Sequence, residues 1–271
     1  TDEELHFFIG KDGVFSSIFD FKQTMLGQEG KGWFDHSLPT ADELKESIFQ
    51  AHERADSIGI LSTIIENHDE PRGVSHYIAE GPVNDTSKKA LGTIQILRKG
   101  IPFIYQGQEI GMENQVFESV EDFDDIATIN GYHVAKEAGL SEEEALAAIA
   151  NYSRDNARTP MQWSAEPGLG FSNGPAWLIS PKPNVAINVE DQEKDPNSIL
   201  NYYRQLTALY RHPLYGNTIR FGDMIPAYRD RENIIAFERR GDKRLLVISN
   251  FQNRQATLEL TAPIKTVVLN N

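Results

Sequence analysis

Apolar positions in the first half of the chain alternate between helical spacing and short continuous runs. Residues 40–56 carry apolar side chains every three or four positions, with Glu and Lys opposite, which predicts an amphipathic helix capped by Thr40. Residues 58–66 form a β-branched run that is typical of a strand buried on both faces. A helix over 86–99 and a second buried strand over 101–107 are predicted next. This order indicates a parallel α/β sheet.

The segments around this unit are less regular. Residues 5–21 contain a Gly-rich break and an apolar run that suits either a buried strand or a short helix. Residues 108–140 are acidic and predict irregular structure, whereas Ser141 and Glu144 form a capping-box pattern at the start of a helix. Residues 154–195 are rich in Pro, Gly and Trp and predict a long, ordered, functional loop.

The pattern changes again in the last quarter of the chain. Asp195 and Pro196 are expected to cap one more helix. The short apolar runs NIIAFERR, RLLVISNF and ATLELT then alternate with turn residues, which predicts antiparallel β structure. We therefore divide the chain into an α/β part, residues 1–212, and an antiparallel β domain, residues 213–271.

Charge and composition narrow the class of protein. The formal net charge is −14, which argues against nucleic acid and anionic membranes as partners, because polyanions would be repelled. No run approaches the roughly 18 apolar residues of a membrane helix, and the first residues, TDEELHFFIG, do not have the pattern of a signal peptide. Cysteine is absent, which fits a cytoplasmic location, and no paired histidine spacing indicates zinc. We expect no metal or cofactor in this chain.

Polar side chains follow the first predicted buried strand directly. The sequence from Glu66 to Arg72, ENHDEPR, includes His68 and Asp69. In a parallel α/β barrel the carboxyl ends of the strands face the active site, where an Asp and a His can hold sugar hydroxyls and stabilise positive charge. The residues alone leave a second interpretation, an ordinary polar turn ended by a proline.

Two further segments carry candidate chemistry. In SRDNARTPMQW (153–163), Arg154 and a second Arg lie near Asp and Trp, which fits hydroxyl binding; a structural ion-pair cluster that holds the loop is the alternative, and the pattern favours it. In YQGQEIGM (105–112), Glu109 fits either a catalytic acid or a buried structural carboxylate, and the pattern favours the latter.

Together these segments resemble one known family. IIENHDEPR, then IPFIYQGQEIGMEN, then SRDNARTPMQW, in this order, are similar to the oligo-1,6-glucosidase and dextran-glucosidase branch of glycoside hydrolase family 13, the α-amylase superfamily. The resemblance implies the C-terminal part of a (β/α)₈ TIM barrel, about strands six to eight, followed by an antiparallel β-sandwich domain. It also implies a retaining exo-α-glucosidase that acts on oligosaccharides.

The resemblance assigns roles to three residues. Asp69 matches the family's transition-state-stabilising Asp, His68 a His that binds hydroxyls of the cleaved sugar, and Arg154 an Arg that holds the non-reducing-end glucose. The family's nucleophile and its acid/base lie upstream of the matched region, as does its usual structural calcium site. We therefore expect this chain to be a fragment that is inactive alone and that pairs with a missing N-terminal part of the same protein.

Linkage and reaction type stay open at this point. Ala127 stands where many 1,6-cleaving members carry a Glu that contacts the leaving sugar, so α-1,4 hydrolysis is an alternative to α-1,6. Trehalose-6-phosphate hydrolase and sucrose isomerase are close enzymatic alternatives. A different class of protein, a non-catalytic relative that serves as an interaction or transport-accessory domain, also keeps such loops.

Overall fold

The computed structural model describes residues 1–28, 30–78, 82–178, 180, 182–260 and 262–270. The α-helices within these ranges are α1 Asp2–Ile9, α2 Ala41–Ala55, α3 Gly73–Tyr77, α4 Asp85–Leu97, α5 Ile126–Glu137, α6 Glu142–Tyr152, α7 Asp155–Arg158, α8 Val189–Lys194, α9 Ile199–Tyr210 and α10 Gly216–Phe221. The strands are β1 Ile18–Phe19, β2 Leu61–Thr63, β3 Ile101–Pro102, β4 Asp223–Ala227, β5 Ile234–Arg240 and β6 Arg244–Asn250. Short 3-10 helices lie at Gln23–Met25, Trp33–Asp35, Gln108–Ile110, Val120–Asp122 and Pro167–Gly170.

The first sheet is parallel and is wound by helices. Its order is β1-β2-β3, with Ile18 opposite Leu61 and Ser62 opposite Ile101. The connection from β1 to β2 contains α2, and the connection from β2 to β3 contains α4. Two successive parallel crossovers of this kind form a segment of a (β/α) barrel, so the predicted fold class is confirmed in its α/β part.

The parallel strands are shorter than the apolar runs that predict them. At the strand ends, side chains take the place of the backbone hydrogen bonds between neighbouring strands. The carbonyl oxygen of Ile64 accepts hydrogen bonds from the Gln23 amide and from Nη2 of Arg98, the latter at 3.1 Å. Both of these polar side chains are buried. Backbone groups satisfied in this way need no neighbouring strand.

The predicted amphipathic helix is α2, and its cap is confirmed. Oγ1 of Thr40 accepts from the backbone N–H of Glu43 at 3.1 Å, and the Glu43 carboxylate accepts from the Thr40 N–H at 2.7 Å. The buried face of α2 joins a core that also contains residues of α4, α9 and the antiparallel strands. The fully buried members of this core include Leu44, Phe49, Leu91, Ile94, Leu206 and Phe237.

The expectation of irregular structure over 108–140 was wrong for residues 126–137, whereas residues 108–125 contain only two short 3-10 helices. Helix α5 occupies Ile126–Glu137, and Asp125 caps it by accepting from the N–H of Thr128 at 2.9 Å. This helix packs mainly against α6. Its buried side chains are few and small, Thr128 and Ala135, so it has little apolar periodicity to detect.

The cap of α9 also differs from the prediction. Ser198 is the N-cap, and its Oγ accepts from the N–H of Asn201 at 3.2 Å. Asp195 instead forms a local turn, because its carboxylate accepts from the N–H of Asn197 at 2.8 Å. A short side chain that bonds two residues ahead competes with helix initiation at that position.

The last part of the chain forms one antiparallel sheet in the order β4-β5-β6. The expected strand ATLELT is absent from residues 256–260; Thr261 lies outside the described residues. Side chains, rather than a strand ladder, contact this segment: Tyr228 Oη donates to the carbonyl of Glu259 at 2.8 Å. Across the described residues this is a single sheet and not the expected sandwich. The domain boundary at 212/213 stays a prediction.

Candidate active site

A buried ion pair anchors the turn that follows β2. Nη1 of Arg72 lies 3.0 Å from Oε1 of Glu66, and both side chains are almost fully buried. The other oxygen of Glu66 accepts from the N–H of Gly73 at 2.6 Å, and Nη1 of Arg72 also donates to the carbonyl of Gln106 at 2.8 Å. These bonds tie the end of β2 to the start of α3 and to the loop after β3.

The turn above this pair exposes His68 and Asp69. Oδ1 of Asn67 accepts from the N–H of Asp69 at 2.7 Å, which closes a local turn. The Asp69 side chain is 49% exposed and that of His68 is 71% exposed. Nε2 of His68 lies 3.2 Å from Oδ2 of Asp69. The structure therefore places both residues at the carboxyl end of a parallel strand, open to solvent.

Two guanidinium groups converge on one oxygen of Asp69. Nη1 of Arg154 lies 3.2 Å from Oδ1 of Asp69, and Nη2 of Arg158 lies 3.1 Å from the same oxygen. Arg158 also donates from Nε to the carbonyl of His68 at 2.9 Å. Arginine suits this task, because its planar fork fixes the orientation of its partners. The three residues singled out from the sequence, His68, Asp69 and Arg154, thus lie together.

Arg154 has a second acidic partner on another element. Its Nε and Nη2 both lie 2.7 Å from Oδ1 of Asp125, the cap of α5. The hydrogen bond to Asp125 is the main cause that raises the pKa of Arg154. The structural ion-pair cluster that the sequence pattern favoured is present: Arg154 pairs with Asp125 and Asp69, and within the segment itself Arg158 lies 3.9 Å from Asp155. Arg154 therefore bridges the turn after β2 and the start of α5.

The fully buried Asp155 holds the α5 end of this bridge. Its Oδ2 accepts from the N–H groups of Asp124 and Asp125 at 2.8 and 2.9 Å. Oδ1 of Asp155 is buried and has no hydrogen-bond partner within the described part of the chain. The backbone around Asp125 is consequently set by a residue next to Arg154 in sequence.

Asp125 was not predicted from the sequence, and Arg158, the second Arg of the 153–163 segment, was given no role of its own. Arg158 lies in the same RDNARTPMQW run as Arg154, so the run itself was the available signal. The only local signal for Asp125 was its position three residues before Thr128, a helix-cap spacing.

Two other acidic side chains lie near the turn but have different surroundings. Burial raises the pKa of Glu70 to about 7, and the neighbouring charge of Asp69 adds to the rise, whereas a hydrogen bond with Thr24 lowers it. Glu109 is half-buried and accepts from the N–H of Gly107 at 2.8 Å. That bond gives Glu109 a turn-stabilising role in this structure.

Aromatic side chains near the parallel strands are unusually exposed. The rings of Phe19 and Phe103 meet edge to face with centroids 4.8 Å apart, and the two residues are 42% and 47% exposed. Phe21, 5.8 Å from Phe19, is 50% exposed. Parallel sheets normally have both faces covered, so this apolar surface has the character of an interface.

The comparisons with known proteins agree with this geometry. The family Alpha-amylase, catalytic domain, matches residues 5–214. The (β/α) barrel segment formed by the first sheet and its helices fits that family. The chain therefore belongs to the α-amylase family.

Several known proteins are similar to the chain in sequence or in structure. The chain is 36% identical over 247 residues to a probable oligo-1,6-glucosidase of Bacillus subtilis (strain 168), covering 89% of this chain and 43% of that protein. It is 34% identical over 268 residues to an oligo-1,6-glucosidase of Bacillus cereus, covering 97% of this chain and 47% of that protein. Bacillus licheniformis trehalose-6-phosphate hydrolase superposes with a TM-score of 0.85 at 31% identity, covering 93% and 45% of the two chains.

The chain thus spans somewhat less than half the length of these relatives. Within the described residues no helix is both long and apolar enough to cross a membrane. The same residues contain no group of three or more His, Cys, Asp or Glu arranged to hold a metal ion. The expectation that no metal or cofactor binds here stays a prediction.

Proposed function

We propose that the chain forms part of a retaining exo-α-glucosidase that hydrolyses α-1,6-linked gluco-oligosaccharides, with Asp69 stabilising the transition state. The proposal rests on the different contacts of the two carboxylate oxygens of Asp69. Oδ1 receives both guanidinium groups, whereas Oδ2 contacts only the exposed His68 within the described residues. One oxygen is thereby fixed and the other faces outward.

This arrangement suits glycoside hydrolysis. The transition state carries positive charge on the anomeric carbon and ring oxygen of the sugar, and a carboxylate held in advance stabilises that charge without reorganising. Arg154 and Arg158 hold the carboxylate from one side, so Oδ2 can approach a sugar hydroxyl or the developing cation. The imidazole of His68 lies beside that oxygen and offers a second polar contact to the same sugar.

We propose that Arg154 holds the terminal glucose. Its side chain is 34% exposed, so its donors are within reach of a ligand although two carboxylates already orient it. A guanidinium group that two carboxylates already hold in place binds hydroxyl oxygens with little further loss of conformational entropy. We therefore assign it to the pocket that closes around the non-reducing-end sugar, which makes the enzyme exo-acting.

A retaining mechanism needs two further carboxyl groups, a nucleophile and an acid/base. We propose that a preceding barrel segment supplies both and covers the aromatic surface formed by Phe19, Phe21 and Phe103. In the described sheet β1 and β3 each pair on one side only, which leaves edges for further strands. The chain by itself is then expected to be inactive. The cytoplasmic location expected from the sequence stays a prediction.

A phosphorylated disaccharide is a less suitable substrate for these residues. A relative from Bacillus subtilis (strain 168), a trehalose-6-phosphate hydrolase, is 36% identical over 195 residues. Phosphate recognition commonly uses Arg or Lys side chains whose positive charge is not already neutralised by carboxylates. Arg154 and Arg158 are both already paired with Asp69, and the formal net charge of the chain is −14. These observations favour a neutral sugar.

The test compares kinetics with stability for Arg154→Ala in the complete catalytic domain. We expect a higher KM for isomaltose and a lower kcat/KM, because a loosely held sugar is poorly aligned with the nucleophile. The matched control is Arg204→Ala, since Arg204 forms an exposed pair with Glu193 away from the site. A thermal midpoint lowered by several degrees with near-normal kinetics would make Arg154 a structural clamp and remove it from the site.

A further inference from the structure

We propose that Trp177 is the stacking platform of a second sugar subsite, which binds the neutral leaving sugar of the oligosaccharide. The inference rests on the proposed function and extends it beyond the terminal glucose. Trp177 is 68% exposed, and its Nε1 donates to Oδ2 of Asp124 at 2.7 Å. A large aromatic ring that is both open to solvent and anchored at its polar edge is a preformed binding surface.

The surroundings of Trp177 hold the ring in place. The next residue, Leu178, is 5% exposed and anchors the backbone in the interior. Further along, Oγ of Ser180 donates to the carbonyl of Val116 at 2.6 Å. The indole bond to Asp124 then fixes the edge of the ring. A side chain that is already ordered loses little entropy when a ligand packs on it.

A short series of contacts connects Trp177 with the Asp69 site. Asp124 and Asp125 are consecutive, and both of their N–H groups are held by the buried carboxylate of Asp155. Asp124 binds the Trp177 indole, whereas Asp125 binds Arg154, which reaches Asp69. The platform and the catalytic carboxylate are therefore positioned by the same two-residue segment, as adjoining subsites require.

The chemistry of the platform identifies the class of ligand. A pyranose ring presents a face of C–H groups, which packs on the electron-rich face of an aromatic ring, and hydroxyl groups at its edge. Within the described residues Oδ1 of Asp124 accepts no hydrogen bond, so it can accept from such a hydroxyl. The carboxylates of Asp124 and Asp125 would repel an anionic group here. The subsite therefore fits a neutral hexose.

Binding measured on this 271-residue chain tests the inference without any need for turnover. The probes are methyl α-glucoside, which fills only the terminal-glucose pocket, and isomaltose, which fills both subsites. The chain contains three Trp residues, so the indole N–H resonance that disappears in Trp177→Ala assigns the signal of Trp177. We expect isomaltose, but not methyl α-glucoside, to shift that resonance. Trp177→Ala should weaken isomaltose binding about tenfold and leave methyl α-glucoside binding unchanged.

The matched control is Phe171→Ala, since Phe171 is also an exposed aromatic residue, at 55%, and lies in the same long loop. That variant should bind both sugars normally. Trp177→Ala binding isomaltose as tightly as the unmodified chain, with methyl α-glucoside bound normally, would overturn this inference and leave the proposed function intact. Methyl α-glucoside binding that is indifferent to Arg154→Ala would instead contradict the proposed terminal-glucose pocket. Failure of the unmodified chain to bind either sugar, together with the same failure in the complete catalytic domain, would overturn both.

Discussion

Arg72 offers the sharpest test of what holds the site in place. Replacing Arg72 with Met keeps the length of the side chain but leaves the Glu66 carboxylate buried without its cation; the two groups are 3.0 Å apart and have 1% and 0% exposed side chains. Removing one partner of such a pair costs about 3–5 kcal/mol. The free energy of unfolding of a domain is only about 5–15 kcal/mol, so a large share of it should be lost.

Urea unfolding followed by circular dichroism at neutral pH measures this loss. The control Arg204→Met breaks an exposed pair, with both side chains 54% exposed, and should cost less than about 1 kcal/mol. Burial already raises the pKa of Glu66, so in Arg72→Met the destabilisation should shrink at acid pH, where Glu66 is protonated. A loss below about 1 kcal/mol for Arg72→Met would refute the reasoning.

A second replacement separates the buried charge from the lost packing. Glu66→Gln combined with Arg72→Met removes both charges, and the Gln side chain still offers an oxygen to the N–H of Gly73, which now bonds Glu66 at 2.6 Å. We expect the double variant to be more stable than Arg72→Met alone, because no uncompensated charge stays buried. Equal stability of the two would mean that packing, and not charge, explains the loss.

Two further predictions concern stability. The pKa of Glu70 is raised from 4.5 to about 7, so the stability that protonated Glu70 contributes is fully present below pH 4.5 and is lost as the pH rises through 7. Glu70→Gln should therefore flatten this part of the profile of urea midpoint against pH. An unchanged profile would contradict the raised pKa of Glu70. Thr40→Ala should lower the free energy of unfolding by about 1 kcal/mol through loss of the α2 cap, whereas Thr40→Ser should preserve it; equal losses in both variants would show that the hydroxyl is not the cap.

The sequence predicted the elements whose formation depends on residues close together in the chain. The capping boxes at Thr40 and Ser141 mark the starts of α2 and α6, because cap and helix lie within four residues of each other. The parallel sheet follows from the two apolar runs and the helix between them. The turn after β2 was also predictable, since a run of polar side chains directly follows a buried strand.

Long-range contacts account for what the sequence did not predict. Helix α5 has few buried side chains, and its position depends on Asp125, which meets Arg154 across 29 residues of chain. Arg158 reaches the carbonyl of His68 across 90 residues. No periodicity or residue spacing within either segment predicts these long-range contacts. The segment ATLELT has strand-like composition, but composition does not supply the neighbouring strand that a ladder needs.

The most direct test of the central claim is the kcat of Asp69→Asn in the complete catalytic domain with isomaltose as substrate. Asn keeps the shape of the side chain and an oxygen for Arg154 and Arg158, but it removes the negative charge. Stabilisation of this electrostatic kind is worth about 3–4 kcal/mol, so kcat should fall by at least about a hundredfold while the thermal midpoint changes little. Retention of more than about a tenth of kcat, equivalent to a loss under about 1.4 kcal/mol, would contradict the assignment of Asp69 as the transition-state-stabilising carboxylate.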